Sequence, residues 1–205
     1  MGRQHAGFVR LALDLGERIF VVLLGLPFIL AFIRAAKVHP NLVLVLLSEM
    51  LAIVLILTRK RGEIALRPLA VFAAFAGTAL PLLVRPGGAA VAPQLISSIL
   101  MFGGLSVSIL SKLYLNRSFG MIAANRGIKS GGPYRIVRHP MYLGYIINQF
   151  GFLTASFSLT NLGIYLAAWS FQLVRVHEEE DVLRSDSSYQ QFARRVTARL
   201  IPGVY

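Results

Sequence analysis

The chain has 205 residues, of which 56% are hydrophobic and only 15% charged, with a mean hydropathy of +0.65 and a net charge of +12. A soluble domain carries about a quarter charged residues, so the shortage of charge, more than the apolar total, excludes an ordinary soluble fold. The basic residues punctuate apolar runs rather than forming an aromatic-interleaved stripe, which points to anionic lipid and not to nucleic acid as partner. Cysteine is absent, which excludes disulfides, thiolate metal sites, a cysteine nucleophile and S-palmitoylation.

Four candidate spans come first in chain order. Ile19–Ile33, flanked by Arg18 and Arg34, is short for a bilayer that needs about 20 residues, and snorkelling of the two arginines can extend it. It ends at Phe32-Ile33-Arg34 without a small-residue cleavage pattern, so a span is expected here rather than a cleaved signal peptide. Asn41–Thr58 is interrupted only by Glu49, an ionisable group that either serves function or pairs with a neighbouring helix. Pro68–Val84 follows the Arg59-Lys60-Arg61 cluster. Pro93–Leu115 carries Gly103-Gly104, which is expected to let a helix pack closely.

Lysine and arginine placement sets the orientation. The N-terminal segment (Arg3, Arg10, Arg18), the second loop (Arg59, Lys60, Arg61, Arg67) and the segment after the fourth span (Arg117, Arg126, Lys129, Arg135, Arg138) are basic. The first loop holds Arg34 and Lys37, the third only Arg85. This alternation places the N-terminus in the cytosol. Met141 to Val174 contains no charge, and a single span there would put Arg175, Arg184, Arg194, Arg195 and Arg199 outside. The polar break Ser156-Phe-Ser-Leu-Thr-Asn161 offers a turn instead. The expectation is a helical hairpin over 141–174, with arms of roughly 14 residues, about 21 Å each. Both its ends face the cytosol, which brings residues near 139 and 175 together. The fold expected is therefore an all-α integral membrane protein: four transmembrane helices within 19–115, then a C-terminal membrane hairpin and a cytosolic cofactor-binding region within 116–205, in a single membrane domain.

Two constellations can carry chemistry. In Gly131-Gly-Pro-Tyr-Arg-Ile-Val-Arg-His-Pro-Met-Tyr142, Pro140 suits the first turn of a helix and His139 falls at its cap. Exposed N–H groups there, with Arg135 and Arg138, would attract a carboxylate or phosphate; the same pattern also describes a positive-inside loop. In Arg175-Val-His-Glu-Glu-Glu-Asp181, helical spacing lets Arg175, Glu178 and Glu179 converge, either on a ligand or as a plain ion pair at a helix end. The hairpin juxtaposes this acidic cluster with the basic one. His177 could ligate a metal beside three glutamates, but with only His139 for company the signal is weak and no metal site is expected. No P-loop or dinucleotide fingerprint occurs.

Arg138-His-Pro-Met-Tyr-Leu-Gly144 preceded by Gly132-Pro-Tyr134, an arginine followed by a glutamate pair, then Tyr189, Arg194-Arg195-Val196 and Ile201-Pro202, together resemble the isoprenylcysteine carboxyl methyltransferase family. The wider group includes phospholipid N-methyltransferases. The resemblance covers roughly 116–203 and implies a membrane methyltransferase using S-adenosylmethionine (SAM), with a lipophilic substrate entering from the bilayer. It implies a cofactor pocket made by Arg126, Gly127, Ile128, Lys129, Tyr134, His139, Pro140, Met141 and Tyr142, with one of Glu178, Glu179 and Glu180 holding the cofactor. Arg175 would face the substrate, with Glu179 and His139 completing the catalytic set. Arg126-Gly-Ile-Lys129-Ser130 departs from the family's His-x-Leu-Val-Thr run. Three consecutive glutamates leave the register open, and Glu179 is preferred because it lies four residues from Arg175. Carboxylate O-methylation, amine N-methylation of a phospholipid, and a non-catalytic lipid-binding protein or small transporter using Glu49 and the hairpin all remain open. The membrane expected is the plasma or inner membrane of a prokaryote or the endoplasmic reticulum of a eukaryote, with both termini cytosolic.

Overall fold

A computed structural model describes residues 2–36 and 43–205. These form seven helices and one short strand pair: α1 Gly2–Ala36, α2 Val43–Thr58, β1 Glu63–Ile64, α3 Pro68–Ala79, α4 Gln94–Leu115, β2 Ala124–Asn125, α5 Pro140–Ala155, α6 Leu159–Leu183 and α7 Ser187–Arg195. The first expected span is only part of α1, a 35-residue helix that begins far upstream and runs through Pro27. Asn41, the expected start of the second span, lies outside the described residues.

Among the described residues, one helical stretch, Gln94–Ser118, is both long and apolar enough to cross a membrane. Leu47–Thr58 and Pro68–Leu83 are apolar but shorter. The outer faces of the first four helices carry large apolar side chains such as Leu11, Leu23, Val54, Phe72, Ile99 and Leu113, each between 53% and 68% exposed on α1, α2, α3 and α4. A water-soluble protein would have to hide a patch of this size, whereas lipid covers it at no cost.

The α4–α5 contact is built on small residues. A Cβ on Gly104 would collide with the backbone of Asn148, and one on Gly144 with Ser108 and the Gly104 carbonyl. Asn148 Nδ2 donates to the Met101 carbonyl at 2.9 Å, so the close approach is also hydrogen-bonded. Gly103, by contrast, faces open space. Only the second glycine of the pair serves the packing expected of both.

The hairpin is present as α5 and α6, and the polar break forms its tip. Ser158 caps α6 by accepting from Asn161 N. Asn161 Nδ2 donates to the carbonyls of Ser156 and Arg85, and its Oδ1 accepts from Arg85 N. Both polar atoms of the Asn161 side chain therefore have partners, as an apolar environment demands. At the opposite end, β1 pairs antiparallel with β2, Glu63 opposite Asn125 and Ile64 opposite Ala124. That pairing lays the α2–α3 connection against residues 117–126. A buried ion pair between Glu17 and Arg59, supported by Asp14 at 2.6 Å from Arg59 Nη2, ties α1 and α2 to the same segment through a 2.6 Å bond from Met121 N to Glu17.

Candidate active site

Pro140 opens α5 as expected, and His139 precedes it in the N-cap position with φ −127° and ψ 58°. The His139 side chain does not cap the helix. It turns instead toward α6, with Nδ1 at 3.5 Å from Glu179 Oε2 and Nε2 at 3.3 Å from Glu180 Oε1. Its main chain is held by the segment after α7: His139 N donates to the Arg199 carbonyl and Arg138 N to that of Ala198, both at 2.9 Å.

A carboxylate can only accept, so an imidazole lying between two carboxylates bonds both only when each ring nitrogen carries a proton. Burial alone would lower the His139 pKa, but the two glutamates more than offset it and raise it above its ordinary value. Glu180 is the counterpart: burial raises it, while His139, Arg138 and Arg199 draw it down to about 2. Burial likewise opposes the ionisation of Glu179, and its bond to His139 outweighs that, with Arg175 and Tyr142 adding to the lowering.

The three consecutive glutamates diverge. Successive helical residues point about 100° apart, so one run serves three directions. Glu178, itself buried, faces the exposed Arg67 at 3.5 Å. Glu179 accepts from Tyr142 Oη and faces a polar cleft. Glu180 turns toward Arg199 at 2.9 Å and Arg138 at 3.3 Å.

That cleft is lined by Arg126, Gly127, Ile128, Lys129, Tyr134, His139, Met141, Tyr142 and Glu179, all expected there from sequence, together with Tyr189, which entered only as part of the resemblance, and Gly120, Ile122 and Phe192, which were not singled out. Pro140, Glu178 and Glu180 lie outside it. Pro140 is buried in the first turn of α5, while Glu178 and Glu180 are turned away by helix phase. Tyr189 and Phe192 reach the cleft because α7 buries one face against Tyr134; an amphipathic nine-residue helix after a charged turn was the signal for them.

Arg126 is the unusual group in the cleft. It is 7% exposed, yet Nε and Nη2 have no partner and Nη1 reaches only the Ile122 carbonyl at 3.4 Å. Burial, with Arg59 nearby, lowers its pKa to about 10. The close fit of this guanidinium over Gly120 leaves no room for a Cβ at that residue. A buried cation with two unspent donors is set up for an anionic group.

Arg175 does not enter the cleft. It lies on the other side of the α5 start, 7% exposed, stacked over the Tyr142 ring at 5.1 Å, with Nη2 donating to the Met121 carbonyl and Nε unpartnered. It lines a second, more apolar cavity of about 250 Å³ bounded by α1, α2, α3, α4, α5 and α6. Glu49 and the buried Lys112 also line it; Lys112 was not singled out from sequence. Met141 lines both the cleft and the cavity.

Fold and site thus define a helical protein with a lipid-compatible exterior and a polar cleft backed by an apolar cavity. Residues 107–185 match the model of the isoprenylcysteine carboxyl methyltransferase (ICMT) family. The match takes in both halves of the site, Arg126 to Tyr142 and Arg175 to Glu180. Neither the curated proteins nor the solved structures gave a match.

Proposed function

We propose that the protein is a membrane methyltransferase that transfers a methyl group from SAM to a carboxylate oxygen of a lipophilic acceptor. The observation that carries this reading is the shared wall at Met141, which sets a charged, donor-rich cleft back to back with an apolar cavity holding Arg175. The family match over the same residues supports it.

The cleft suits the cofactor chemically. The unspent Arg126 donors fit its carboxylate, Glu179 fits its ammonium or ribose hydroxyls, and Tyr134 and Phe192 offer faces for its adenine ring. When bound, SAM supplies an electrophilic methyl on a sulfonium. The chain's own task is alignment and exclusion of water. Arg175 orients the acceptor carboxylate through its unpartnered Nε, and the apolar lining of the cavity keeps that anion poorly hydrated. His139 holds Glu179 ionised and fixed, as a positioning residue.

A carboxylate acceptor needs no base at neutral pH. An amine acceptor must first lose a proton, and His139 is ill suited to take it because both its ring nitrogens already face carboxylates; Glu179, whose pKa is lowered despite burial by its bond to His139, makes a weak base. This favours O-methylation over N-methylation. Isothermal titration of the detergent-solubilised protein with SAM tests the reading at its root, because absence of binding leaves a non-catalytic lipid-binding protein. With binding established, labelled-methyl transfer to membrane extract should give a base-labile ester. A base-stable product would identify an amine acceptor instead.

A further inference from the structure

Lys112 lies on α4, 1% exposed, in the wall of the apolar cavity. Its Nζ donates to Ser48 Oγ at 2.8 Å and to the Ser48 carbonyl at 3.2 Å, and it sits 5.3 Å from the Tyr145 ring centre. All three partners are neutral. Two of the ammonium's three donors are spent on Ser48, and the third has only the weak contact with the Tyr145 face. Among the described residues no carboxylate lies within ion-pair distance of it, although Glu49 lines the same cavity from α2. Lysine is almost never fully buried unless paired, because the charge loses its hydration.

Lys112 is not alone in this. Gln172, 2% exposed, lines the cavity with Oε1 unpartnered, and Arg175 lines it with Nε unpartnered. The two cations are joined through an edge-to-face aromatic pair, Arg175 over Tyr142 and Lys112 over Tyr145, with ring centres 6.4 Å apart. The cavity thus holds two separated cationic points in a lining that is mostly apolar, with Glu49, Gln149 and Gln172 among its other polar groups. A single carboxylate satisfies one of them.

Resting on the methyl-transfer reading above for Arg175, we propose that Lys112 is a specificity-determining residue of the acceptor cavity. It binds a second anionic group of the acceptor, so the acceptor is an amphiphile with two anionic groups at its head. The same chemistry, a second anionic oxygen, can come from a carboxylate or a phosphate.

The test uses the full chain in detergent micelles and three acyl amino acids that differ only at the head. N-lauroylglycine has one carboxylate, N-lauroylglutamate two, and N-lauroyl-O-phosphoserine a carboxylate and a phosphate. Titration should show one or both of the doubly anionic ligands binding about tenfold or more tightly than the glycine compound; which one does so identifies the second group. Lys112→Met and Lys112→Gln should erase that preference and Lys112→Arg should keep it. Ser48→Ala, which removes the hydrogen bond to α2 but leaves the charge, should also keep it. SAM affinity should not change in any of them. Equal binding of all three ligands by the unmutated chain, no binding of any, or a preference that survives Lys112→Gln would overturn the proposal and leave Lys112 as a strut between α2 and α4. Loss of SAM binding in the unmutated chain would sink the methyl-transfer reading instead, and the two failures are separately visible.

Discussion

Both nitrogens of His139 face carboxylates, and this fixes its pH behaviour. A group whose pKa is raised on folding contributes stability below its unfolded value of about 6.5, and that contribution is lost as pH rises through the folded value. The melting temperature should therefore fall as pH climbs above about 6.5, and His139→Gln should flatten that step in a pH series. Glu180, held at about 2, behaves oppositely: its contribution is present above 4.5 and is lost only as pH falls toward 2. The three glutamates also separate by variant. Glu178→Gln should leave SAM binding intact, since Glu178 lies outside the cleft and faces Arg67. Glu179→Gln should weaken SAM binding, and Glu180→Gln should lower the melting temperature, because Glu180 is the buried counter-charge for His139, Arg138 and Arg199. Arg175→Ala should cut turnover by on the order of a hundredfold or more with SAM affinity unchanged, measured by single-turnover transfer beside titration. Helical spacing from Arg175 identified Glu179 as the residue facing inward, but sequence could not show that Glu180 turns toward the tail. Its partner Arg199 is nineteen residues further along.

At the scale of elements, helix starts and turns were written locally and could be read. Pro68 and Pro140 open α3 and α5, and the Ser156–Asn161 break makes the hairpin tip. The length of α1 was not legible, because its first half lacks the apolar run that marks a span, and tertiary contacts at Asp14 and Glu17 hold it helical. The β1–β2 pair was also invisible, since two-residue strands are specified by what they lie against. The two glycines of α4 give a paired test. Gly103→Ala should be neutral in a thermal melt, whereas Gly104→Ala forces α4 from α5 and should cost about 1–3 kcal/mol. Equal behaviour of the two would mean that the helices can separate without penalty.

Across the whole molecule, the buried Glu17–Arg59 pair connects the membrane helices to the loop that floors the cleft. Removing one partner of a buried pair strands the other charge, so Glu17→Ala should destabilise by about 3 kcal/mol, softened by the remaining Asp14, and loosen SAM binding at a distance. Nothing near Glu17 in sequence announced this. Low charge density described the membrane class, whereas the polar residues that join its layers, Glu17 and Lys112 among them, were not singled out in the sequence.

The wall at Met141 has a kinetic consequence. On the proposed methyl-transfer reading, the ligand of the cleft would arrive from water and that of the cavity from lipid, so the two sides would respond to different concentrations. Cleft occupancy should follow the molar concentration of SAM in the aqueous phase. Cavity occupancy should follow the mole fraction of acceptor in the bilayer, and adding inert lipid at constant total acceptor should slow turnover by surface dilution alone. The thickness of one methionine thus separates a three-dimensional reaction order from a two-dimensional one.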